Sequence, residues 1–188
     1  MQNTSFFTLF LLLLIIFTLS CCKEDPPTPE PPCIEDGLPC LTTEGKNMFA
    51  CKVNGQPWIA DTPYSIGGPA KLQGEYNNSD SSFYLLAVRK NEDKGFYEQI
   101  NIFLKGIYEG IETEMHLVSD TKTAFADLSG NYSCDTYYHD ISNPGNVKIV
   151  KLSPSERIIS GNFEFVGVSN VCFDSTIVIS QGRFDFNF

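Results

Sequence analysis

Arg183–Phe184–Asp185–Phe186–Asn187–Phe188 alternates polar and aromatic side chains at every step. Successive side chains on a strand point to opposite faces, so this period of two predicts a half-buried β-strand with the three phenylalanines inward. The alternation recurs upstream. Ile159, Phe163 and Phe165 oppose Ser160, Asn162 and Glu164, while Ile100, Ile102 and Leu104 alternate with Gln99, Asn101 and Lys105. Phe49, Cys51 and Val53 share one face, and Ile111, Thr113, Met115 and Leu117 oppose Glu112, Glu114 and His116. Phe83–Val88 is apolar on both faces and reads as a central strand. In Val147–Leu152 the apolar phase slips by one, which predicts a bulge.

Turn-forming residues punctuate these runs at Asn54–Gly55, Gly67–Gly68–Pro69, Asn91–Gly95, Ser129–Gly130–Asn131 and Asn143–Asn146. Short strands so closely spaced are antiparallel neighbours, because parallel crossovers need a dozen or more residues. The expected fold is all-β: an antiparallel β-sandwich or closed meander barrel of about eight to ten strands.

The chain before Asn47 is of another kind. Phe6 to Leu19 is almost wholly apolar and uncharged, too short to span a bilayer comfortably and suited to the apolar core of a signal peptide. It runs into Cys21–Cys22–Lys23–Glu24–Asp25, a junction that resembles the lipobox of bacterial lipoproteins, where the cysteine becomes an acylated N-terminus. Cys21 is the expected lipidated residue. Cys22 is the alternative, since it would place Leu19 where lipoboxes favour Leu, at the cost of a cysteine in the small-residue position. The Lys23–Glu24–Asp25 triplet is similar to the short acidic export tag of surface-displayed lipoproteins of the Bacteroidetes type. Expected localisation is therefore a lipid anchor in the outer membrane, with the domain surface-exposed or facing the periplasm.

Pro26, Pro27, Pro29, Pro31, Pro32 and Pro39 then crowd a stretch rich in Glu and Asp, which favours extended polyproline II and resists packing. The organisation read from sequence is a signal peptide over 1–20, a lipidated proline-rich linker over 21–46 and an all-β domain over 47–188.

The formal net charge is −10, and none of it lies in residues 1–20. Such a surface disfavours nucleic acid and anionic lipid as partners. Export permits disulfides. Cys33 and Cys40 flank Asp36–Gly37 as a small loop staple, and Cys134 and Cys172 lie in expected strands that can pair. With no CxxC and only two histidines, no metal site or cofactor is expected.

Two stretches carry a family resemblance. Phe49–Ala50–Cys51–Lys52–Val53–Asn54–Gly55–Gln56–Pro57–Trp58 resembles the F-x-C-x-V-N-G-x-x-W start of a family of small Bacteroidetes-type lipoproteins of unknown function. Ile159–Phe165 followed by Ile179–Asp185 resembles that family's I-S-G-x-F-x-F … I-x-x-G-R-F-D ending. The resemblance implies an exported all-β domain and no assigned reaction or ligand. Physically, Asn54–Gly55 supplies a tight hairpin turn, and Trp58 is expected to cover the core.

No catalytic motif is present, so no catalytic residue is assigned. Glu112 and Glu114 share a strand face, as any such pair does. The most unusual polar-aromatic cluster is Ser133–Asp140, whose Tyr137, Tyr138 and His139 form a candidate ligand loop for a sugar or peptide. The alternative there is a core role, with Tyr138 buried beside Cys134. Asp174–Ser175–Thr176 matches a short O-glycosylation pattern, making Ser175 a candidate modification site.

The expected function is a non-enzymatic binding or envelope-interaction module, monomeric, with a glycan or an envelope protein as partner. A lipocalin-like small-molecule carrier and a carboxylate-dependent glycan-active enzyme are the alternatives.

Overall fold

The computed structural model describes residues 33–61, 70–91, 95–107, 113–116, 124–128, 134, 136–140, 145–169, 171–172 and 174–188. The expected signal peptide, Cys21, Cys22, Glu112, the turns at 67–69 and 129–131, and residues 92–94 and 143–144 of two further turns lie outside the described residues.

Among the described residues thirteen strands follow one another: β1 (Ile34–Glu35), β2 (Leu38–Pro39), β3 (Met48–Val53), β4 (Gln56–Ile59), β5 (Leu72–Asn77), β6 (Ser82–Asn91), β7 (Phe96–Leu104), β8 (Thr113–His116), β9 (Ala124–Asp127), β10 (Thr136–His139), β11 (Asn146–Ser153), β12 (Ile158–Ser169) and β13 (Thr176–Asn187). No helix occurs among the described residues. β1 and β2 form a small hairpin, and the other eleven strands build one antiparallel sheet. Its nine-strand path runs β4-β3-β13-β12-β10-β9-β7-β6-β5, with β11 and then β8 branching from β12. The branch exists because β12 is long: its first half pairs with β11 and its second half with β10.

The sheet curls into a half-barrel around its own apolar face. Phe49, Trp58, Phe83, Ile100, Phe163 and Phe184 are all buried within it. Phe49 meets Trp58 edge-on at 5.9 Å between ring centroids and Phe163 at 4.8 Å, while Phe83 stacks on Phe184 at 6.1 Å. Each such side chain is worth about 1.5–3 kcal/mol on burial. Outward positions are mixed: charged and amide side chains alternate with exposed apolar ones such as Tyr84, Val150 and Val178.

The two ends of the path meet without a full ladder. Asp61, just past β4, donates its N–H to Val88 C=O at 3.1 Å and accepts from Lys90 N–H at 3.0 Å. Further along the seam, the Phe186 ring lies over Gly74, and Tyr76 meets Phe188 at 5.4 Å.

Turn chemistry follows the sequence. Asp36 and Gly37 have φ of 54° and 80°, and Asn54 and Gly55 have 49° and 80°, as two-residue hairpin turns require. The phase slip in β11 is a register shift between Ile149 and Lys151. Further shifts fall between Phe163 and Phe165 in β12 and between Ser180 and Arg183 in β13.

One boundary differs from the sequence reading. Cys33–Phe188 form a single compact unit, so the linker boundary expected at 46/47 moves to 32/33. Residues 33–46 are held by hydrogen bonds to outward side chains of β13, which a search for apolar periodicity does not detect.

Gly182 has no room for a side chain: a Cβ there would stand 2.5 Å from Phe163 O and 2.6 Å from its ring. Gly182→Ala is expected to lower stability by about 1–3 kcal/mol through overpacking, read as a lower urea midpoint with unchanged slope. Cys51 is fully buried and without a disulfide, and burial pushes its thiol up to about 12, against a smaller opposing pull from Arg89. The thiolate is the reactive form. Hence the Cys51 peptide of the native protein should stay unlabelled by iodoacetamide at pH 8 and label fully in guanidinium.

Candidate functional site

Two concavities deserve comparison, one at the mouth of the half-barrel and one on its outer face. At the mouth, Trp58, Arg89, Glu98 and Tyr137 border a cavity of about 290 Å³. Arg89 and Glu98 are direct cross-strand partners in the β6–β7 hairpin. Glu98 is 3% exposed, and its Oε2 accepts from Trp58 Nε1 at 2.9 Å, Arg89 Nε at 3.1 Å and Arg89 Nη2 at 2.5 Å. Arg89 also donates to Pro57 C=O at 3.3 Å and lies 5.3 Å from the Trp58 ring centroid, a cation–π contact. Tyr137 is 5% exposed, with its hydroxyl 3.1 Å from Ser175 Oγ.

These groups satisfy one another. The mouth is a polar plug over the aromatic core, and it leaves little hydrogen-bonding capacity for a ligand.

The sequence-predicted residues sort accordingly. Tyr137 is the core tyrosine and Tyr138 is half-buried, a reversal of the expected core role for Tyr138. Strand alternation explains this: Tyr137 pairs with Ala126 and Ser169 and shares their inward phase. An inward Tyr137 has no free ring face to stack on a sugar. His139 occupies the last position of β10, opposite Gly167. Ser175 is half-buried and bonded to Tyr137 through its Oγ, the atom that O-glycosylation would use. Disulfides join Cys33 to Cys40 and Cys134 to Cys172, with Cα separations of 5.4 and 5.1 Å. The second ties the approach to β10 to the β12–β13 connection. Glu114 lies at a β8 position opposite Lys148.

The second concavity, about 390 Å³, lies over β11, β12 and β13. Lys148, Asn162 and Arg183 are successive cross-strand partners and form one row; Asn146 and Glu164 begin the next, with Gln181 in the adjoining bulge. The β1–β2 hairpin is the wall, through Glu35 and Asp36. Arg183 holds that wall in place by donating to Glu35 Oε2 at 3.2 Å and to Pro39 C=O at 3.3 Å. Gln181 has a left-handed φ of 51°, an uncommon state for a residue with a side chain, and its side chain is exposed on the groove.

This groove is less saturated than the mouth. Asn146 makes one long bond, 3.5 Å to Glu164, and its Oδ1 is shielded from solvent without a partner. None of the groove residues was singled out from sequence as a site. The available signal was the inward phase of β13, which changes from odd positions at Ile177 and Ile179 to even ones at Phe184 and Phe186.

No match to this chain was found among known protein families, curated proteins or solved structures.

Glu98→Ala should cost about 1–3 kcal/mol, because it leaves a buried indole N–H without its acceptor and a half-buried guanidinium without its carboxylate. Chemical denaturation measures this. A loss under 1 kcal/mol would show that the plug is dispensable.

Proposed function

We propose that the protein is a lipid-anchored outer-membrane lipoprotein whose β domain is a non-enzymatic binding module, with the groove over β11–β13 as its binding face. The observation that supports binding is that groove: a walled concavity of about 390 Å³, at the low end of small-ligand sites, whose polar side chains are incompletely paired. A small-molecule carrier is a weaker reading. The interior that would hold its cargo is occupied by Phe49, Trp58, Phe83, Phe163 and Phe184 packed on one another.

The anchor is supported by the apolar run ending at Cys21 and the proline-rich stretch behind it. From Cys21 to Cys33 an extended chain reaches on the order of 35–40 Å at ~3.1 Å per residue. Cys33 opens the folded unit, so such a tether would join the β1–β2 hairpin directly. Several acyl chains on one cysteine anchor durably, at about 0.8 kcal/mol per buried CH₂. The domain would face either the periplasm or the exterior, and act as a monomer on an envelope glycan or protein.

Cells fed alkyne-palmitate should label the wild-type chain, and the labelled chain should enter the detergent phase. A Cys21→Ala, Cys22→Ala double variant that still labelled and partitioned would refute the anchor.

A further inference from the structure

We propose that the outer-face groove is a glycan site, taking a neutral, hydroxyl-rich oligosaccharide across β11, β12 and β13. This rests on the binding-module reading above and names the ligand class for it.

The side-chain inventory comes first. Asn162 and Gln181, both exposed on the groove, each present a donor and an acceptor side by side, the pattern that neighbouring sugar hydroxyls match. Cross-strand neighbours stand about 4.5–5.5 Å apart, so a row across three strands offers repeated contacts to adjacent rings. Bulges re-aim side chains, and the one at Ser180–Arg183 holds Gln181 in its left-handed state beside the rows.

Charge selects against ionic ligands. Lys148 and Arg183 share the groove with Glu35, Asp36 and Glu164, and Arg183 is already paired with Glu35. Signs are mixed, so no single-sign field is available for a phosphate or a polycation.

Backbone pairing selects against an added peptide strand. β11 pairs with β8 and β12, β12 with β11 and β13, and β13 with β12 and β3. Strand addition needs a free edge, and the groove-lining residues Asn146 and Lys148 of β11, with β12 and β13 beside them, are already paired on both sides, so recognition there runs through side chains.

An apolar shelf adjoins the polar rows. Val166 and Val178 are outward cross-strand partners, Val178 being 49% exposed, beside a smaller concavity of about 190 Å³ that shares Glu164 with the groove. A sugar ring has a C–H face that such a shelf fits.

The test uses the full chain in detergent, titrated by calorimetry with maltohexaose, cellohexaose, xylohexaose and mannohexaose. At least one should bind saturably. Asn162→Ala and Gln181→Gly, the latter keeping the left-handed backbone, should each weaken binding about five- to tenfold with unchanged melting. Glu75→Gln, exposed on β5 and away from the groove, should leave it intact. Binding that ignores both groove variants overturns the site. In parallel, a benzoylphenylalanine photocrosslinker at position 162 is irradiated in intact cells. No sugar binding together with a crosslink to an envelope protein overturns the glycan and leaves the binding module standing. Silence in both arms overturns both.

Discussion

Asp185 is a carboxylate with no exposure to solvent, and the arrangement of the N-terminal segment follows from that fact. Burying an ionised carboxylate costs several kcal/mol unless donors replace its water. Four donors do so here: Thr42 Oγ1 at 2.5 Å and the backbone N–H groups of Glu44 at 3.1 Å, Gly45 at 2.8 Å and Lys46 at 3.0 Å. All come from the segment before β3, so residues 42–46 cannot leave the sheet without stranding a charge. Two residues earlier, Arg183 fixes the β1–β2 hairpin through Glu35 and Pro39. Alternate outward positions of one strand thereby convert the end of a linker into the wall of a groove.

The same strand explains the Gly182–Arg183–Phe184–Asp185 motif without reference to any ligand. Gly182 yields space to the Phe163 backbone, Arg183 and Asp185 hold the strap outside, and Phe184 fills the core inside. The N-terminal motif divides similarly: Phe49, Cys51 and Trp58 are core, and Asn54–Gly55 is the turn. Asn54 has a further role, since its Oδ1 accepts from Val178 N–H at 2.8 Å and so pins the hairpin to β13.

Strand identity and the inward face were legible because period two is a local property. The bulge in β11 was legible for the same reason, as a break in phase. Phe83–Val88 lies in β6, paired on both sides as a central strand should be, yet its two faces differ: Phe83, Leu85 and Ala87 are fully buried, while Tyr84 is 38% exposed. A single curled sheet has no second layer to cover that face, and apolar content on its own does not reveal the layer count. The Arg89–Glu98 plug was legible in principle, since the two residues stand symmetrically about the Asn91–Gly95 turn and register follows from the hairpin. What sequence does not carry is the strap, because Asp185 finds its partners 139 to 143 residues away, all but the Thr42 hydroxyl being backbone N–H groups that any residue supplies.

The fold separates the groups that hold it together from those left over for recognition. At the mouth every named polar group has a partner, so a ligand entering there would have to break an ion pair before gaining a contact. On the outer face the wall is held by Arg183, while the exposed amides of Asn162 and Gln181 beside it keep capacity to spare. A molecule that touched both the wall and the rows would bind the docked strap and not a detached one, and by mass action would hold the strap down. Because the strap is also the first folded element after the proline-rich stretch, attachment to the sheet and recognition in the groove draw on the same few residues of β13.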